Sequence, residues 1–435
     1  MPRTRKKANE LNMMYSLFDI IKEDEKRSQI KAMLRVRPPE DMWKGSIAVP
    51  PGSLLESVLH EFEKGSDIPL ELPFFQMFHL LSGYMLNQGV TVNVDTMDYQ
   101  GNIKPDFWTL IMAKSGAGKT FSWKQIRAMC PKVIDKIQWK SFAGIVSGAA
   151  FVEELESNNN KLVVRDEFNE FFKRVSNPQG PLGDVHEYLL LAYDNEPIER
   201  VKKKIRQKDG TFLEEKISIE EPAFTLLGMC VFSSFVETLT VEDILNGLFA
   251  RIAVVSSEPD PKRNPKDYPF YTVNLAKYND KFKRLLKSIR YKKYIANDDA
   301  IEGYKTSWRY MYRDDVDMTF YRRIMWKAHK YALVYHILTE QGENQYLTNI
   351  DYGWAARALQ IHIADCMKLL QSHGMPELSK QLDKVEAFCS KQKAAGLPIR
   401  ASDIVRNVAG FKHAAEVRAV LSLTDFKEDR LRIRS

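Results

Sequence analysis

At 435 residues, 44% of them hydrophobic, the chain can bury at least one large core and is long enough for two or three domains, which excludes a disordered protein. No apolar run reaches the length of a membrane span, and the start Met1-Pro-Arg-Thr-Arg-Lys-Lys7 lacks the apolar stretch of a secretory signal, so the expectation is a soluble, cytoplasmic protein with no membrane partner. The net charge of +7, from 64 basic and 57 acidic side chains, is compatible with a nucleic-acid partner but does not require one.

The first 45 residues read as a basic tail followed by helices and a linker. Leu11, Met14, Tyr15, Phe18 and Ile21 recur at helical spacing, and a charged segment, 23–37, stops at Pro38-Pro39. These helices either dock on a neighbouring subunit or pack on their own domain. After the break Val49-Pro50-Pro51-Gly52, the positions Leu54, Leu55, Val58, Leu59 and Phe62 mark an amphipathic helix closed by Gly65. A strongly apolar stretch, 74–87, reads as a buried helix, and 90–94 is β-prone.

The organising stretch follows. Residues 107–112 are an apolar run with no helical period, expected as a buried strand. It breaks into Ala113-Lys114-Ser115-Gly116-Ala117-Gly118-Lys119-Thr120, the phosphate-loop pattern with Ala in place of the first Gly. Small residues let backbone N–H groups close around a phosphate. The start of the next helix, from Phe121, adds positive potential, Lys119 reaches the outer phosphates and the Thr120 hydroxyl binds Mg²⁺. ATP and Mg²⁺ are therefore the expected cofactors, held by residues 113–121. The alternative is a strand-to-helix turn that happens to be glycine-rich.

Farther on, Pro131 is expected to end the helix, and Ser147 to cap the next one. Lys161-Leu-Val-Val-Arg-Asp-Glu167 looks like a second core strand with acids at its C-terminal tip, a Walker B pattern at a typical distance from the loop. There Asp166 would associate with the metal, and Glu167 would orient and deprotonate the attacking water. Adjacent acids of this kind indicate an ATPase with an intrinsic catalytic Glu; the plain reading is a pair of exposed acids at a strand end.

Residues 199–219 read as two extended arms about an Asp209-Gly210 turn. One arm carries Arg200, Lys202, Lys203, Lys204, Arg206 and Lys208, either a solvated charge run or a DNA-contacting hairpin. The buried strand 223–231 ends at Phe232-Ser233-Ser234, where Ser233 or Ser234 is a candidate γ-phosphate sensor, Ser233 first, against a plain helix cap. Arg251 interrupts an apolar segment and needs an anionic partner, either a structural ion pair or, as a finger, the ATP site of an adjacent subunit. Residues 256–268 read as a loop, and 275–292 and 300–374 as helices. Arg322, Arg323 and Lys327 are candidate second sensors or surface residues, and His329, His336 and His362 read as structural. The cysteines Cys130, Cys230, Cys366 and Cys389 are scattered in apolar contexts and read as reduced core residues. Beyond Gly374-Met-Pro376, a helix to 394, a β-prone 397–400, a helix capped by Ser402, a helix over 414–423 and an alternating 430–434 match the order of a winged helix. Arg406, Lys412, Arg418, Lys427, Arg430, Arg432 and Arg434 would give it a basic face for duplex DNA.

Taken together, residues 46–375 resemble the P-loop helicase-type domain of phage, plasmid and integrated-element proteins, often fused behind a primase module. The resemblance is carried by Ala48-Val-Pro-Pro-Gly52, Ile68-Pro69 with Leu72-Pro-Phe-Phe75, the 113–120 loop, Leu162-Val-Val-Arg-Asp-Glu167 and Gly247-Leu-Phe-Ala-Arg251. It implies a hexameric ATPase acting on DNA, related to AAA+ and superfamily-three helicases, in a bacterium or phage-infected host. The expected fold is α/β: a P-loop ATPase core of the AAA+/RecA-like kind with helical N-terminal and C-terminal additions. The expected divisions are 1–45, a core over 46–275, a helical lid over 276–375 and a winged-helix domain over 376–435. Single-stranded DNA would run in the ring's channel. No primase module stands ahead of residue 46, which leaves the DNA transaction open, and a nucleotide-switched adaptor (a helicase loader, a regulator or a defence ATPase) is the alternative.

Overall fold

A computed structural model describes residues 24–40, 42–96, 99–206, 212–239, 243, 247–259, 263, 265–267, 270–313, 316–408, 411, 414–421 and 426–427; within these, side chains are not described at 203–206, 212–215, 373–383, 415–416 and 419–420. The chain falls into two compact units, Met1–Cys366 and Met367–Ser435. The first unit spans residues 46–275 and the expected lid range as far as 366.

The first unit is built on mostly apolar strands. β3 (Trp108–Ala113), β7 (Phe224–Cys230) and β8 (Ala253–Ser257) are buried along their whole length, the pattern of a parallel sheet covered on both faces. With β4 (Lys161–Arg165) they form a parallel sheet in the order β4-β7-β3-β8. The register sets Met112 opposite Cys230 and Ala113 opposite Ser257, so the C-terminal tips of all four strands share one edge. In open parallel sheets that edge is where ligands bind.

One cover of this sheet is helix Glu71–Asn87, apolar nearly all round and buried at most of its positions. It packs on β4 and β7. Gly83 permits the approach, because a Cβ there would lie 2.8 Å from the Leu162 Cβ. Helix Leu54–Gly65 precedes it, capped by Ser53, whose side chain accepts from the Glu56 amide.

The β-prone 90–94 segment does form a strand, but it does not join the main sheet. β1 (Thr91–Asp95) pairs antiparallel with β2 (Gln100–Ile103) and parallel with β9 (Lys293–Ala296). Sequence reasoning missed β9, since four residues beside a lysine-rich helix end carry too little periodicity. Helices Asp298–Met311 and Met318–Leu338, capped by Asn297 and Asp317, then return the chain over the core. Pro131 also behaves otherwise than expected. Helix Lys119–Met129 ends at Cys130 and Pro131 opens the next helix, Pro131–Ile137, where its missing N–H has no cost.

The expected break at Gly374-Met-Pro376 is absent: helix Asn349–Ala394 runs through it. Residues 397–400 form no strand, and helix Ala401–Asn407 has Arg400, not Ser402, at its cap. The second unit's core gathers Val385, Cys389, Ile399, Ile404, Phe411, Val417 and Leu421. Among the described residues it is a helical cluster that includes helix Ala414–Leu421; the 430–434 strand, Lys412, Arg430, Arg432 and Arg434 lie outside the described residues, as do the 11–21 helix positions. Arg406, Arg418 and Lys427 are exposed. No helix among the described residues is long and apolar enough to cross a membrane, and all four cysteines are free and buried.

The buried histidines give the unit a pH dependence. His79 bonds the Phe75 carbonyl oxygen at 2.7 Å, His329 the Tyr352 hydroxyl at 2.7 Å, and His362 the Tyr331 hydroxyl and the Val254 carbonyl oxygen at 2.8 and 2.9 Å. Burial holds these imidazoles neutral, down to about 4 for His79 and about 3 for His329 and His362. The unfolded chain takes up these protons near the ordinary value of about 6.5, so it binds more protons than the native state below that pH. Their stabilisation is therefore full above pH 6.5 and lost as pH falls toward 4. Thermal midpoints measured from pH 7.5 down to 4.5 are expected to fall, less steeply in His362→Gln. His336 contacts Asp351 at 2.9 Å and the Asn344 carbonyl oxygen at 2.9 Å, a satisfied core position; no metal-capable group of three or more ligands occurs among the described residues.

Candidate nucleotide site

At the shared edge of the parallel sheet, β3 turns sharply. Gly116 (φ 78°) and Gly118 (φ 79°) are left-handed, a backbone region that side chains adopt at a cost of about 1–2 kcal/mol. A Cβ on Gly118 would also meet the Ile68 side chain at 2.7 Å, so the loop closes against the segment before helix Glu71–Asn87. Helix Lys119–Met129 begins with no side-chain cap, leaving its first amides for an anion.

A bracket behind the loop fixes this helix start. The Gln76 amide donates to the Lys119 carbonyl oxygen (3.3 Å) in a partly buried contact, and the Ser122 hydroxyl donates to Gln76 Oε1 (2.6 Å) in the buried interior. Sequence reasoning missed Gln76. A single glutamine in an otherwise apolar helix was the available signal, since a buried amide must find partners.

In front of the loop, Thr120 Oγ1 donates to Asp166 Oδ2 at 2.9 Å, and Asp166 Oδ1 accepts from the Glu167 amide at 3.0 Å. Lys119 Nζ lies back on the Ala113 and Lys114 carbonyl oxygens (3.3 and 3.1 Å). Glu167 is left-handed (φ 50°, ψ 44°) at the start of helix Phe168–Val175, a conformation a glutamate holds only where its surroundings demand it. Together these groups line a cleft of about 510 Å³. Ser115, Gly116 and Gly118 to Phe121 form one wall, Asp166, Glu167, Asn169 and Glu170 another, and Cys230, Val231 and Ser234 the floor. Burial pushes the Cys230 thiol up to about 12, so it is no nucleophile. Ala113, Lys114 and Ala117 shape the loop without lining the cleft. Asn169 and Glu170 were not anticipated; they reach the cleft because the helix starts directly after Glu167. Ser233 is exposed and off the cleft, whereas its neighbour Ser234 lines it, because one residue of helix rotates the side chain by about 100°.

Arg251 stands at the opposite edge. The register pairs Thr109 with Ala253 and Ala113 with Ser257, which sets Arg251 about 20 Å along the strands from the loop. It is ion-paired with Asp194, donates to the Gly247 carbonyl oxygen at 3.0 Å and lies over the Tyr193 ring at 5.7 Å. Within one chain it is a structural ion pair and does not reach the chain's own cleft. Beside it, buried Lys327 donates to the Tyr193 hydroxyl and the Arg251 carbonyl oxygen, both at 3.0 Å, and desolvation, reinforced by Lys330, holds its pKa well below the ordinary lysine value. Neither Arg323, which desolvation also perturbs, nor Lys327 lines the cleft; Arg322 is exposed.

The basic arm forms a hairpin of β5 (Ile198–Arg206) and β6 (Phe212–Ile219), with a register irregularity between Val201 and Lys203. Lys203 stands opposite Glu215 and Lys204 opposite Glu214. Lys202 is exposed, Arg206 is opposite Phe212, and Lys208 and the Asp209-Gly210 turn lie outside the described residues. The register thus sets acidic positions across from basic ones, a placement that a count of lysines along one strand does not reveal.

No protein-family model matches the chain, and a search of curated proteins finds no match either.

Proposed function

We propose that the chain is a Mg²⁺-dependent ATPase, and that it works as a ring-forming DNA translocase of a mobile element. The observation that carries the nucleotide half is the Thr120–Asp166 contact of 2.9 Å, which joins the phosphate-loop pattern to the acidic strand tip in one cleft. The residues fit the group: two left-handed glycines, uncapped helix amides, and a hydroxyl and a carboxylate as hard oxygen ligands. Thr120 and Asp166 would hold the Mg²⁺, which when bound neutralises phosphate charge. Lys119 exchanges its two carbonyl partners for phosphate oxygens. Both Asp166 oxygens are engaged, so the proton of the attacking water goes to Glu167.

The translocase half is supported by the hairpin between β4 and β7 and by the resemblance over residues 46–375. The adaptor reading is favoured by the internal ion pair of Arg251 and by the glutamates opposite Lys203 and Lys204. Hydrolysis measured with and without single-stranded DNA separates them. A several-fold stimulation is expected, absent in the combined variant Lys202→Glu, Lys203→Glu, Lys204→Glu while basal turnover stays. Absence of stimulation in the unmodified protein rejects the translocase and leaves the adaptor.

A further inference from the structure

We propose that single-stranded nucleic acid is also held at a second place, a cleft of about 470 Å³ in which Tyr310 stands among Arg37, Lys44, Arg313 and Arg357 and takes a base with its flanking phosphates. This builds on the DNA-binding part of the proposed function but not on the hairpin or on Arg251.

The cleft's lining contains four cationic side chains and, among the described residues, no carboxylate, the reverse of the nucleotide cleft with Asp166, Glu167 and Glu170. Lys44 is met by Asp365 at 2.5 Å, so the excess charge rests on Arg357 and Arg37. Arg357 donates to neutral groups, the Met33 and Ile47 carbonyl oxygens at 3.0 and 2.9 Å, and lies over the Trp354 ring at 4.7 Å. Among the described residues its charge is therefore uncompensated, in a half-buried setting, and Arg37 is exposed.

The neighbouring sequence, Arg309-Tyr310-Met311-Tyr312-Arg313, closes helix Asp298–Met311 and is exposed on both sides of a buried Met311. Met311 is buried at 6%, whereas Tyr310 and Tyr312 are 37% and 41% exposed. Tyr312 is braced edge-on by Tyr321 at 5.4 Å. Two outward tyrosines between arginines supply what an unpaired strand needs, π-faces for successive bases and cations for the backbone between them. A duplex keeps its base faces inside, an acidic peptide brings no such face, and a free mononucleotide would use one tyrosine of the two. Asp314 and Asp315 follow and lie outside the described residues.

Fluorescence anisotropy with a labelled oligothymidylate tests the cleft. Tyr310→Ala and Arg313→Glu are each expected to weaken binding about 5- to 100-fold at fixed salt, and Tyr310→Phe to bind like the unmodified chain. Arg37→Glu is expected to flatten the log–log salt dependence by about 0.7, the slope that one phosphate neutralised on a single strand contributes. Unchanged basal hydrolysis and thermal midpoint establish that each variant is folded. If Tyr310→Ala and Arg313→Glu bind normally while the hairpin variant does not, the cleft is overturned and the hairpin reading stands. If the unmodified protein binds no oligothymidylate, both are overturned. If adenosine monophosphate or polyglutamate displaces the label as well as oligothymidylate does, the site is one for small nucleotides or for polyanions in general, and the proposal is overturned.

Discussion

Glu167→Gln is expected to lower ATP turnover by about two to four orders of magnitude, the range a positioned general base contributes, with nucleotide affinity held within a few-fold. Four carboxylate or amide side chains, Asp166, Glu167, Asn169 and Glu170, share that wall of the cleft, and their bonding separates their roles. Asp166 is committed on both oxygens, to Thr120 and to the Glu167 amide. Glu170 accepts from the Asn169 amide at 3.1 Å. Glu167 alone combines a left-handed backbone with a carboxylate facing an open cleft, and strain at such a position is sustained by function more often than by packing. Glu170→Gln is accordingly expected to keep turnover within about tenfold, and Asp166→Asn to weaken the Mg²⁺ dependence. Steady-state hydrolysis paired with equilibrium binding of a fluorescent ATP analogue reads both quantities. Equal turnover in Glu167→Gln and the unmodified chain, with Glu170→Gln inactive, would move the base one helical turn onward.

The parts of this site legible in the sequence are those whose chemistry is local. The 113–120 loop follows from two glycines and a lysine after an apolar strand, and the acids at 166–167 follow from the tip of another strand. What stayed hidden depends on groups brought from far along the chain. Gln76 meets Lys119 and Ser122 only because helix Glu71–Asn87 crosses behind the loop. Arg251 finds Asp194, 57 positions away, and no periodicity foretells that partner. Lys203 and Lys204 looked like an uninterrupted basic strand until the register set glutamates across from them. Pro376 illustrates the same limit on secondary structure: proline removes one helix hydrogen bond, yet turns on either side, holding buried Leu369 before it and buried Val385 and Cys389 after it, keep the helix continuous. Local preference was outweighed by burial.

The largest effect on stability is expected at Asp106, the residue just before the β3 region. Its carboxylate pairs with Lys330 at 2.8 Å with both side chains under 5% exposed, and also accepts from the Asn195 amide at 3.0 Å. Lys330 comes from helix Met318–Leu338, while Asn195, itself left-handed, ends helix Gly183–Asp194 and also donates to the Pro222 carbonyl oxygen just before β7. One buried carboxylate therefore ties two helices to the entrances of two central strands. Removing it leaves the Lys330 ammonium in an apolar interior beside Lys327, a situation that costs about 3–5 kcal/mol in comparable buried pairs. Asp106→Ala should lose that much in urea unfolding, whereas breaking the exposed Arg290–Glu343 pair, both partners more than 60% exposed, should change stability by about 0–1 kcal/mol. The double variant Asp106→Asn, Lys330→Met separates the two components of the loss. If the cost is the stranded charge, the double variant recovers most of it; if the cost is the missing tie between strand and helices, it recovers little, because Asn195 and the β3 entrance remain without their acceptor charge. Recovery is the expected result. Because β3 leads straight into the 113–120 loop, ATP affinity in Asp106→Ala should fall together with stability and return with it in the double variant.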